Sequence, residues 1–239
     1  MELTPAQSQI VRNNHRFRVV NCGRQFGKTT VAVEEMIACA ISKDNLVICY
    51  VAPTFQQARD IAWAMLVKRL DPVLIKANET RLELTVKTQF GGESRIMLRG
   101  WESVETLRGQ KFNFIVIDEV AMMRNFWPGW QEVIRPTLTH TLGSVLFIST
   151  PKGFNHFYDL FNTVDKDFQN FHFTTYDNPF ASVEEIEAAK RQLPPVRFDQ
   201  EYMASFHKTE GLVYKEFDRT KHLFDDEQEK KIRSNERIA

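Results

Sequence analysis

Short apolar runs alternate with amphipathic stretches along most of the chain. The apolar runs that are predicted as strands are 16–22, 46–52, 113–118, 143–150 and 169–175. The stretches that are predicted as helices are 28–42, 55–70 and 155–164. In the second of these, Ile61, Met65 and Leu66 recur at helical spacing. Because strands alternate with helices, the pattern predicts an α/β fold with a mostly parallel sheet flanked by helices.

Two features outside this alternation predict a hairpin and a short first helix. Apolar and polar residues alternate in 81–86 and, less strictly, in 94–99, and two adjacent glycines lie between them. These segments predict a hairpin at one edge of the sheet. Near the start of the chain, Thr4 is suited to cap a short helix whose first position is Pro5.

The composition changes after the last predicted strand. A capping box at 182–185 begins a helix that is expected to end near Leu193. Two prolines then separate it from a second predicted helix over 196–206. The pattern predicts a core domain over 1–176 and a small helical lid or linker subdomain over 177–208.

Composition bounds the functional classes without selecting one. The 239 residues are 43% hydrophobic, and 31 Lys and Arg balance 31 Asp and Glu, so bulk charge gives no signal for nucleic acid. A local basic groove is compatible with this balance. With no signal peptide and no apolar run near the length of a membrane span, a soluble protein that is not exported is expected. The three cysteines are expected to be reduced, which suits the cytoplasm, and the scattered histidines predict no protein-bound transition metal.

A Gly-rich turn at 22–30 directly follows the first predicted strand. Such a turn leaves backbone N–H groups in one concavity, to which the next helix adds the positive end of its dipole. Lys28 is placed to reach the β- and γ-phosphates of a nucleotide, and the Thr29 hydroxyl to ligate Mg²⁺. An ordinary turn with a surface lysine is the alternative. The residues predicted to bind the nucleotide here are Gly23, Arg24, Gln25, Gly27, Lys28, Thr29 and Thr30.

This turn departs from the usual G-x-x-x-x-G-K-[ST] spacing. Cys22 stands where the first glycine is expected, and Gly23 follows one residue late. The loop instead carries Arg24 and Gln25, which are expected to face the phosphates. A charged side chain is therefore expected beside the bound nucleotide.

A second chemical motif ends the strand predicted at 113–118. Four apolar residues from Phe114 precede Asp118 and Glu119, a pattern typical of a buried central strand of a parallel sheet. The carboxyl edge of such a sheet is where α/β folds bind ligands. Asp118 is predicted to hold Mg²⁺, and Glu119 to polarise the attacking water as a general base. A strand that ends in a surface acidic pair is the alternative.

Three further motifs are consistent with a nucleotide site, and each has a plain structural alternative. Gln7 could read the adenine edge with its amide, or be a surface helix residue. Arg108 could stabilise charge on the transferring phosphate as an arginine finger, acting on a neighbouring subunit, or be a solvated side chain. Ser149 and Thr150 end the strand that is expected beside Asp118, and could sense the γ-phosphate or simply form a turn.

These motifs stand in one order, and together they resemble the large terminase subunit of tailed bacteriophages. The segments that carry the resemblance are Arg24-Gln25, Tyr50-Val-Ala-Pro-Thr54 with Gln57-Ala58, Leu107-Arg108-Gly109, Ile117-Asp118-Glu119-Val-Ala, Ser149-Thr-Pro-Lys-Gly153 and Arg197-x-x-Gln-Glu-Tyr202. The resemblance extends from about Gln7 to Phe206. A phosphate loop with a displaced glycine and an internal arginine is common in that family.

The resemblance implies a P-loop NTPase fold of the RecA-like ASCE type, with ATP and Mg²⁺ as ligands. It implies that Lys28 binds phosphate, that Thr29 and Asp118 bind Mg²⁺, and that Glu119 is the catalytic glutamate. The remaining implied roles are phosphate contact for Arg24, completion of a neighbour's site for Arg108, coupling for Ser149 and Thr150, and adenine contact for Gln7.

The resemblance also implies partners and a setting. These are double-stranded DNA, the portal protein and the small terminase subunit, with a homo-oligomeric ring on the procapsid and a monomer in isolation left open. No membrane is expected, and the implied location is the host cell cytoplasm rather than the mature virion.

The chain departs from that family's pattern at its C-terminus. Large terminases carry an RNase-H-like nuclease domain after the ATPase, whereas here 211–217 resembles only the approach to it. Residues 209–239 are expected to begin a linker and to end in a partly disordered tail, so nuclease activity is expected to be absent. Two alternatives stay open: a helicase-like DNA-dependent ATPase, and a nucleotide-switched binding module without turnover.

Overall fold

The computed structural model describes residues 3–207, in which eight strands form one sheet in the order β3-β4-β5-β2-β6-β7-β1-β8. The strands are β1 Phe17–Cys22, β2 Val47–Ala52, β3 Leu74–Asn78, β4 Glu83–Lys87, β5 Glu93–Gly100, β6 Phe114–Asp118, β7 Ser144–Ser149 and β8 Phe168–Phe173. From β5 to β8 every neighbouring pair is parallel, whereas β3, β4 and β5 pair antiparallel. The prediction of a mostly parallel α/β sheet is confirmed.

Helices cover both faces of the sheet. The α-helices are α1 Pro5–Val11, α2 Lys28–Ser42, α3 Phe55–Ala58, α4 Ala64–Leu70, α5 Phe126–Pro128, α6 Arg135–Thr137, α7 His156–Phe161, α8 Val183–Gln192 and α9 Pro195–Glu201. A π-helical segment, Arg59–Trp63, joins α3 to α4, and another, Gly129–Ile134, joins α5 to α6. The stretch predicted as one helix over 55–70 is therefore helical throughout, with a local change of hydrogen-bond register.

The central strands are buried on both sides, which explains why they read as continuous apolar runs. On one face, alternate strand residues such as Ile48, Val116 and Leu146 pack with α1, α2 and α4. On the other face, Val19, Ile115 and their neighbours pack against α5–α7 and the segment Trp101–Leu107. Two apolar layers therefore hold the carboxyl ends of β1, β6 and β7 in fixed positions.

The hairpin prediction is confirmed for β4 and β5, but they are not at the edge of the sheet. The edge strand is β3, which follows a 3₁₀ turn after α4 and was not predicted. It carries exposed Ile75 and Lys76 and shows little apolar alternation, because an edge strand that faces solvent needs no buried side. On the inner side, β5 pairs with β2 and so joins the hairpin to the parallel sheet.

The helix predicted over 196–206 is wrong in its second half. The helix α9 ends at Glu201, and Ala204 has a φ of 54°, a left-handed conformation that breaks a right-handed helix. The Ala204 carbonyl accepts a hydrogen bond from the Asn21 side chain at 2.7 Å, which ties this segment to the end of β1. Tertiary contact therefore replaces the helical bonds that the local pattern favours.

The predicted division at residue 176 stays a prediction, since α8 and α9 belong to the same compact unit as the sheet. The expectations for 209–239 fall outside the described residues. Between residues 3 and 207, no helix combines the length and apolar character that crossing a bilayer requires.

Candidate active site

The predicted motifs meet at the carboxyl edge of the parallel sheet. Strand β7 lies between β6 and β1, with Asp118 opposite Ile148 and Asn21 opposite Ser149. The ends of three adjacent strands therefore present the Gly-rich turn, the two carboxylates and the two hydroxyls to one space. A cleft of about 560 Å³ opens there, and its lining includes Arg24, Gln25, Lys28, Glu119, Thr150 and Arg197.

The Gly-rich turn adopts backbone conformations that point its N–H groups into this edge. Gln25 has a φ of 60°, and Gly27 has a φ of 92° immediately before α2 begins at Lys28. A side chain at position 27 would also clash with the amide of Gln7, so glycine is required there for two reasons. Thr29 and Thr30 follow in the first turn of α2, half-buried, where the helix dipole favours an anion.

The structure explains why the first glycine of the turn is displaced. Cys22 is the last residue of β1, fully buried and paired with Phe173 of β8. A Cβ at Gly23 would clash with the carbonyl oxygen of Tyr202 and with Thr175. The residue that must be glycine is therefore the one that the C-terminal segment packs against.

Lys28 joins the two sides of the cleft. Its Nζ donates to Thr150 Oγ1 at 2.7 Å and lies 3.3 Å from Glu119 Oε1, with 13% of the side chain exposed. Burial lowers the pKa of Lys28, but the Cys22, Glu119 and Asp118 side chains more than offset this, so its pKa is raised overall. The ammonium therefore stays charged where phosphates are expected to bind.

Asp118 is almost fully buried behind the cleft, and both of its oxygens accept a hydrogen bond. The Tyr50 hydroxyl donates to Oδ2 at 2.6 Å, and the Glu119 backbone N–H donates to Oδ1 at 2.9 Å. Burial, with the nearby charge of Glu119, raises the pKa of Asp118 to about 6. A carboxylate in this setting lacks a neutralising partner, since no ion pair of the described residues includes it.

Glu119 faces the cleft from a left-handed backbone position. Its φ is 53° and its ψ is 44°, it begins the 3₁₀ turn Val120–Met122, and 32% of its side chain is exposed. A left-handed conformation is uncommon for glutamate and marks a position that the surrounding structure imposes. The carboxylate is thereby placed beside Lys28, in reach of a water in the cleft.

The segment after β7 holds the turn that carries Glu119. Ser149 Oγ accepts from the Ala121 N–H at 3.1 Å and donates to the Thr150 carbonyl at 2.9 Å. Asn155 donates to the Ala121 carbonyl at 2.9 Å, and His156 Nε2 lies 2.7 Å from the Val120 carbonyl. Thr150 contacts Lys28, so the predicted coupling residues touch both the phosphate loop and the catalytic turn. Asn155 and His156 were not predicted to take part.

Gln7 lies behind the phosphate loop rather than in the cleft. Its side chain is buried, its Oε1 accepts from the Thr4 N–H at 3.0 Å, and its Nε2 donates to the Phe26 and Gly27 carbonyls at 3.2 and 3.4 Å. The amide is thus engaged by the protein on both sides. Adenine contact by Gln7 stays a prediction.

Replacing Gln7 with alanine is expected to destabilise the nucleotide-free protein. The change removes the donor to two carbonyls of the loop, which costs about 1–3 kcal/mol of unfolding free energy, or roughly 2–4 °C in melting temperature per kcal/mol. Thermal unfolding would measure this, with Gln56→Ala as a control because the Gln56 amide bonds only to nearby Asp60 on the surface. An unchanged melting temperature with a lost preference for ATP over GTP would instead assign Gln7 to the adenine.

Arg24 is held by the C-terminal segment. Its guanidinium pairs with Glu201, which raises its pKa, and its backbone N–H donates to the Glu201 carbonyl at 2.7 Å. Arg197 and Gln200 also line the cleft from α9 and were given no role in advance. Their spacing with Glu201 puts the three on one face of a helix, which is the signal that could have found them.

Arg108 does not line the cleft. Its side chain is half-exposed, with Nε 2.5 Å from Glu105 Oε2 and a terminal nitrogen donating to the Glu132 carbonyl at 3.0 Å. Within the described residues it therefore lies apart from Lys28 and Glu119. A role in this chain's own site would need a large movement, whereas an exposed side chain can reach another subunit.

A family model described as the N-terminal part of the terminase large subunit, T4likevirus-type, matches residues 19–221. The chain belongs to the terminase large subunit family. Terminase large subunits of Escherichia phage T5 and Thermus phage G20c are 28% and 29% identical to it, over 93% and 89% of this chain. The chain spans about half the length of these relatives, 52% and 50%.

Solved structures of the family share the fold. The ATPase domain of the Thermus phage P74-26 large terminase is 27% identical with a TM-score of 0.74, over 86% of this chain and 94% of that domain. The large terminase of another thermophilic bacteriophage, in complex with ADP, has a TM-score of 0.75 at 20% identity, covering 93% of this chain and 58% of that one. The P-loop fold that the resemblance implied is confirmed.

Proposed function

We propose that this chain carries the ATPase of a phage DNA-packaging motor, which hydrolyses ATP to drive double-stranded DNA into a procapsid. The observation that supports this most is the contact of Lys28 with both Thr150 and Glu119 in one cleft, with Asp118 directly behind. This arrangement supplies a cation for phosphate oxygens, a buried carboxylate for a metal and a second carboxylate for water activation.

Each residue has a separate task in the proposed hydrolysis. The backbone N–H groups of the turn and the Lys28 ammonium hold the β- and γ-phosphates, and Arg24 adds positive charge from within the loop. The Glu119 carboxylate accepts a proton from the attacking water as the water approaches the γ-phosphorus. Because Thr150 contacts Lys28 and Ser149 holds the catalytic turn, loss of the γ-phosphate would be transmitted to the segment after β7.

The residues present fit a magnesium ion. Asp118 is a hard oxygen ligand whose burial without an ion-pair partner favours a bound cation, and the Thr29 hydroxyl at the start of α2 is the second ligand that we propose. When bound, Mg²⁺ would neutralise charge on the phosphate oxygens. ATP as the ligand is supported by the large terminase of the second thermophilic phage, a fold relative that has been solved with ADP and with ATP-gamma-S.

Steady-state phosphate release by the full chain tests this function. We expect ATP hydrolysis that requires Mg²⁺, is abolished by EDTA, and increases as subunits assemble at higher protein concentration. Tight ATP binding without turnover, even with double-stranded DNA and the packaging partners added, would contradict the proposal and favour a nucleotide-switched binding module.

An open basic face of the sheet supports DNA as the partner. Lys76, Thr85 and Arg95 lie opposite one another across β3, β4 and β5, on the side away from the buried Leu84 and Ile96. Arg81 lies at the same surface, in a shallow cleft of about 390 Å³ that Arg95 also lines. A polyanion would suit this face although the net charge of the chain is zero.

Replacing Arg81 and Arg95 together with alanine is expected to weaken DNA binding about equally for all sequences. If both contact phosphates, the slope of log affinity against log salt falls by about 0.9 for each contact. Fluorescence anisotropy with a labelled duplex at several salt concentrations would measure both effects. The control removes two exposed charges elsewhere, Arg12→Ala with Lys166→Ala, and an equal loss in the control would contradict a specific basic face.

The assembly and setting follow from the proposed role. We infer a homo-oligomeric ring on the procapsid, because Arg108 lies outside its own cleft, with the portal protein and the small terminase subunit as docking partners. We also propose action in the host cell cytoplasm, where procapsids are filled. Cross-linking of assembled motors, followed by mass measurement, would test the ring.

A further inference from the structure

Tyr50 places a polar group in the middle of an apolar layer. It is the fourth residue of β2, it is fully buried, and its ring packs with the residues between the sheet and α2. A buried tyrosine hydroxyl needs a hydrogen-bond partner, since an unpaired one is costly. The partner here is Asp118, which accepts from the Tyr50 hydroxyl at 2.6 Å.

The sheet register brings these two groups together. Strands β2 and β6 are parallel neighbours, with Tyr50 opposite Val116, so Asp118 lies two residues farther along the adjacent strand on the same face. The tyrosine ring is long enough to span this offset, and its hydroxyl reaches the carboxylate at the strand end. A shorter polar side chain on β2 would not.

The hydroxyl completes the fixation of the carboxylate. The Glu119 N–H holds Oδ1, and Tyr50 holds Oδ2, so each oxygen accepts one bond and keeps a lone pair for another partner. With one of these bonds removed, the carboxylate can turn about its last torsion, which is broad for aspartate. The ring of Tyr50 fills space, and phenylalanine would do that equally well, so the hydroxyl has a separate role.

We propose that Tyr50 is a positioning residue for the metal, because its hydroxyl holds Asp118 in the orientation that binds the cation of a metal–nucleotide complex. This inference rests on the proposed function, in which Asp118 is a metal ligand. Partners that orient metal ligands typically change metal affinity by about 10- to 100-fold when they are removed.

The test is the Mg²⁺ dependence of ADP binding by the Tyr50→Phe variant of the full chain at one fixed pH. Fluorescent ADP is titrated at increasing Mg²⁺, and again in EDTA. We expect the half-saturating Mg²⁺ concentration to rise by about 10-fold, while ADP binding in EDTA is unchanged. In turnover, the apparent KM for Mg²⁺ should rise by a similar factor, and kcat at saturating Mg²⁺ should stay near that of the unmodified protein.

Two further variants make the result specific. Tyr158→Phe removes a hydroxyl without a side-chain or backbone partner in the described part of the chain, so its Mg²⁺ dependence should be unchanged. In an Asp118→Asn background, Tyr50→Phe should add no further shift, because the ligand that it positions has already been altered.

Failure of this inference can be told apart from failure of the proposed function. If the unmodified protein binds ADP without any dependence on Mg²⁺, the proposed function fails and this inference fails with it. If the unmodified protein depends on Mg²⁺ and Tyr50→Phe behaves identically, only the role of Tyr50 is wrong. Loss of ADP binding in EDTA would also overturn the inference, since it would show that the hydroxyl serves the fold.

Discussion

Replacing Glu119 with glutamine is expected to lower the ATP turnover number by about 10²- to 10⁴-fold, the usual contribution of a general base. Glutamine keeps the size of the side chain but cannot accept the proton of the attacking water. ATP binding should stay within a few-fold of normal, because Lys28, the backbone of the turn and Asp118 provide it. Binding of a fluorescent ATP analogue, measured beside phosphate release, would separate the two effects.

A matched control is Glu79→Gln, which neutralises an exposed glutamate that also has a basic partner, Arg59 at 2.5 Å. Its turnover should be unchanged. Substantial turnover by Glu119→Gln would show that another group activates the water. A loss of ATP binding equal to the loss of turnover would show that Glu119 acts mainly by orienting Lys28.

The sequence predicted the convergence of the chemical motifs because parallel strands end at a common edge. Lys28, Glu119 and Thr150 each follow a short apolar run, and continuous apolar runs are typical of strands that are buried on both faces. Once such strands are adjacent, the residues after them must share one edge, whatever the details of the helices. This part of the site depended on local pattern and a general rule of topology.

The parts that could not be predicted depend on long-range partners. Arg24 was expected to face phosphates, but its present partner Glu201 lies 177 residues farther along the chain. Gln7 is a plausible adenine reader by chemistry, yet two carbonyls of the loop and the Thr4 N–H engage its amide. Local patterns describe what a side chain can bond to, and the tertiary fold decides which of the available partners it meets.

Tyr50 shows the same limit from the other direction. It was part of a recognised motif without a role, since an aromatic residue in an apolar strand is normally read as core. The register of β2 against β6 turns its hydroxyl into a partner of Asp118. A polar tip on a strand that is otherwise wholly apolar is the one signal that could have marked it.

Arg108 is the residue whose proposed role most needs a second subunit. It is half-exposed and lies outside the cleft, and its contacts are with Glu105 and Glu132 at the surface. An exposed ion pair contributes little to stability, so Arg108 can exchange these partners for a phosphate at small cost. An arginine finger that acts between subunits requires such a side chain, with its own site left incomplete.

Replacing Arg108 with alanine is therefore expected to lower turnover by about 10³-fold or more in the assembled protein. Unfolding free energy and ATP binding by the isolated chain should be nearly unchanged. Turnover per subunit in the unmodified protein should rise with protein concentration, and the variant should lose that rise. Phosphate release over a concentration series would measure all of this.

Mixing two inactive variants decides whether the finger acts between subunits. An Arg108→Ala subunit keeps Glu119, and a Glu119→Gln subunit keeps Arg108, so a mixed assembly contains interfaces at which one complete site forms. Turnover should reappear on mixing, at a fraction of the unmodified rate. The control is Arg59→Ala, which removes another exposed arginine paired with a glutamate and should leave turnover unchanged. A mixture that stays inactive although the subunits co-assemble, or turnover independent of concentration and of Arg108, would rule out the finger acting in trans, because a neighbouring Arg108 then contributes nothing to an intact Glu119.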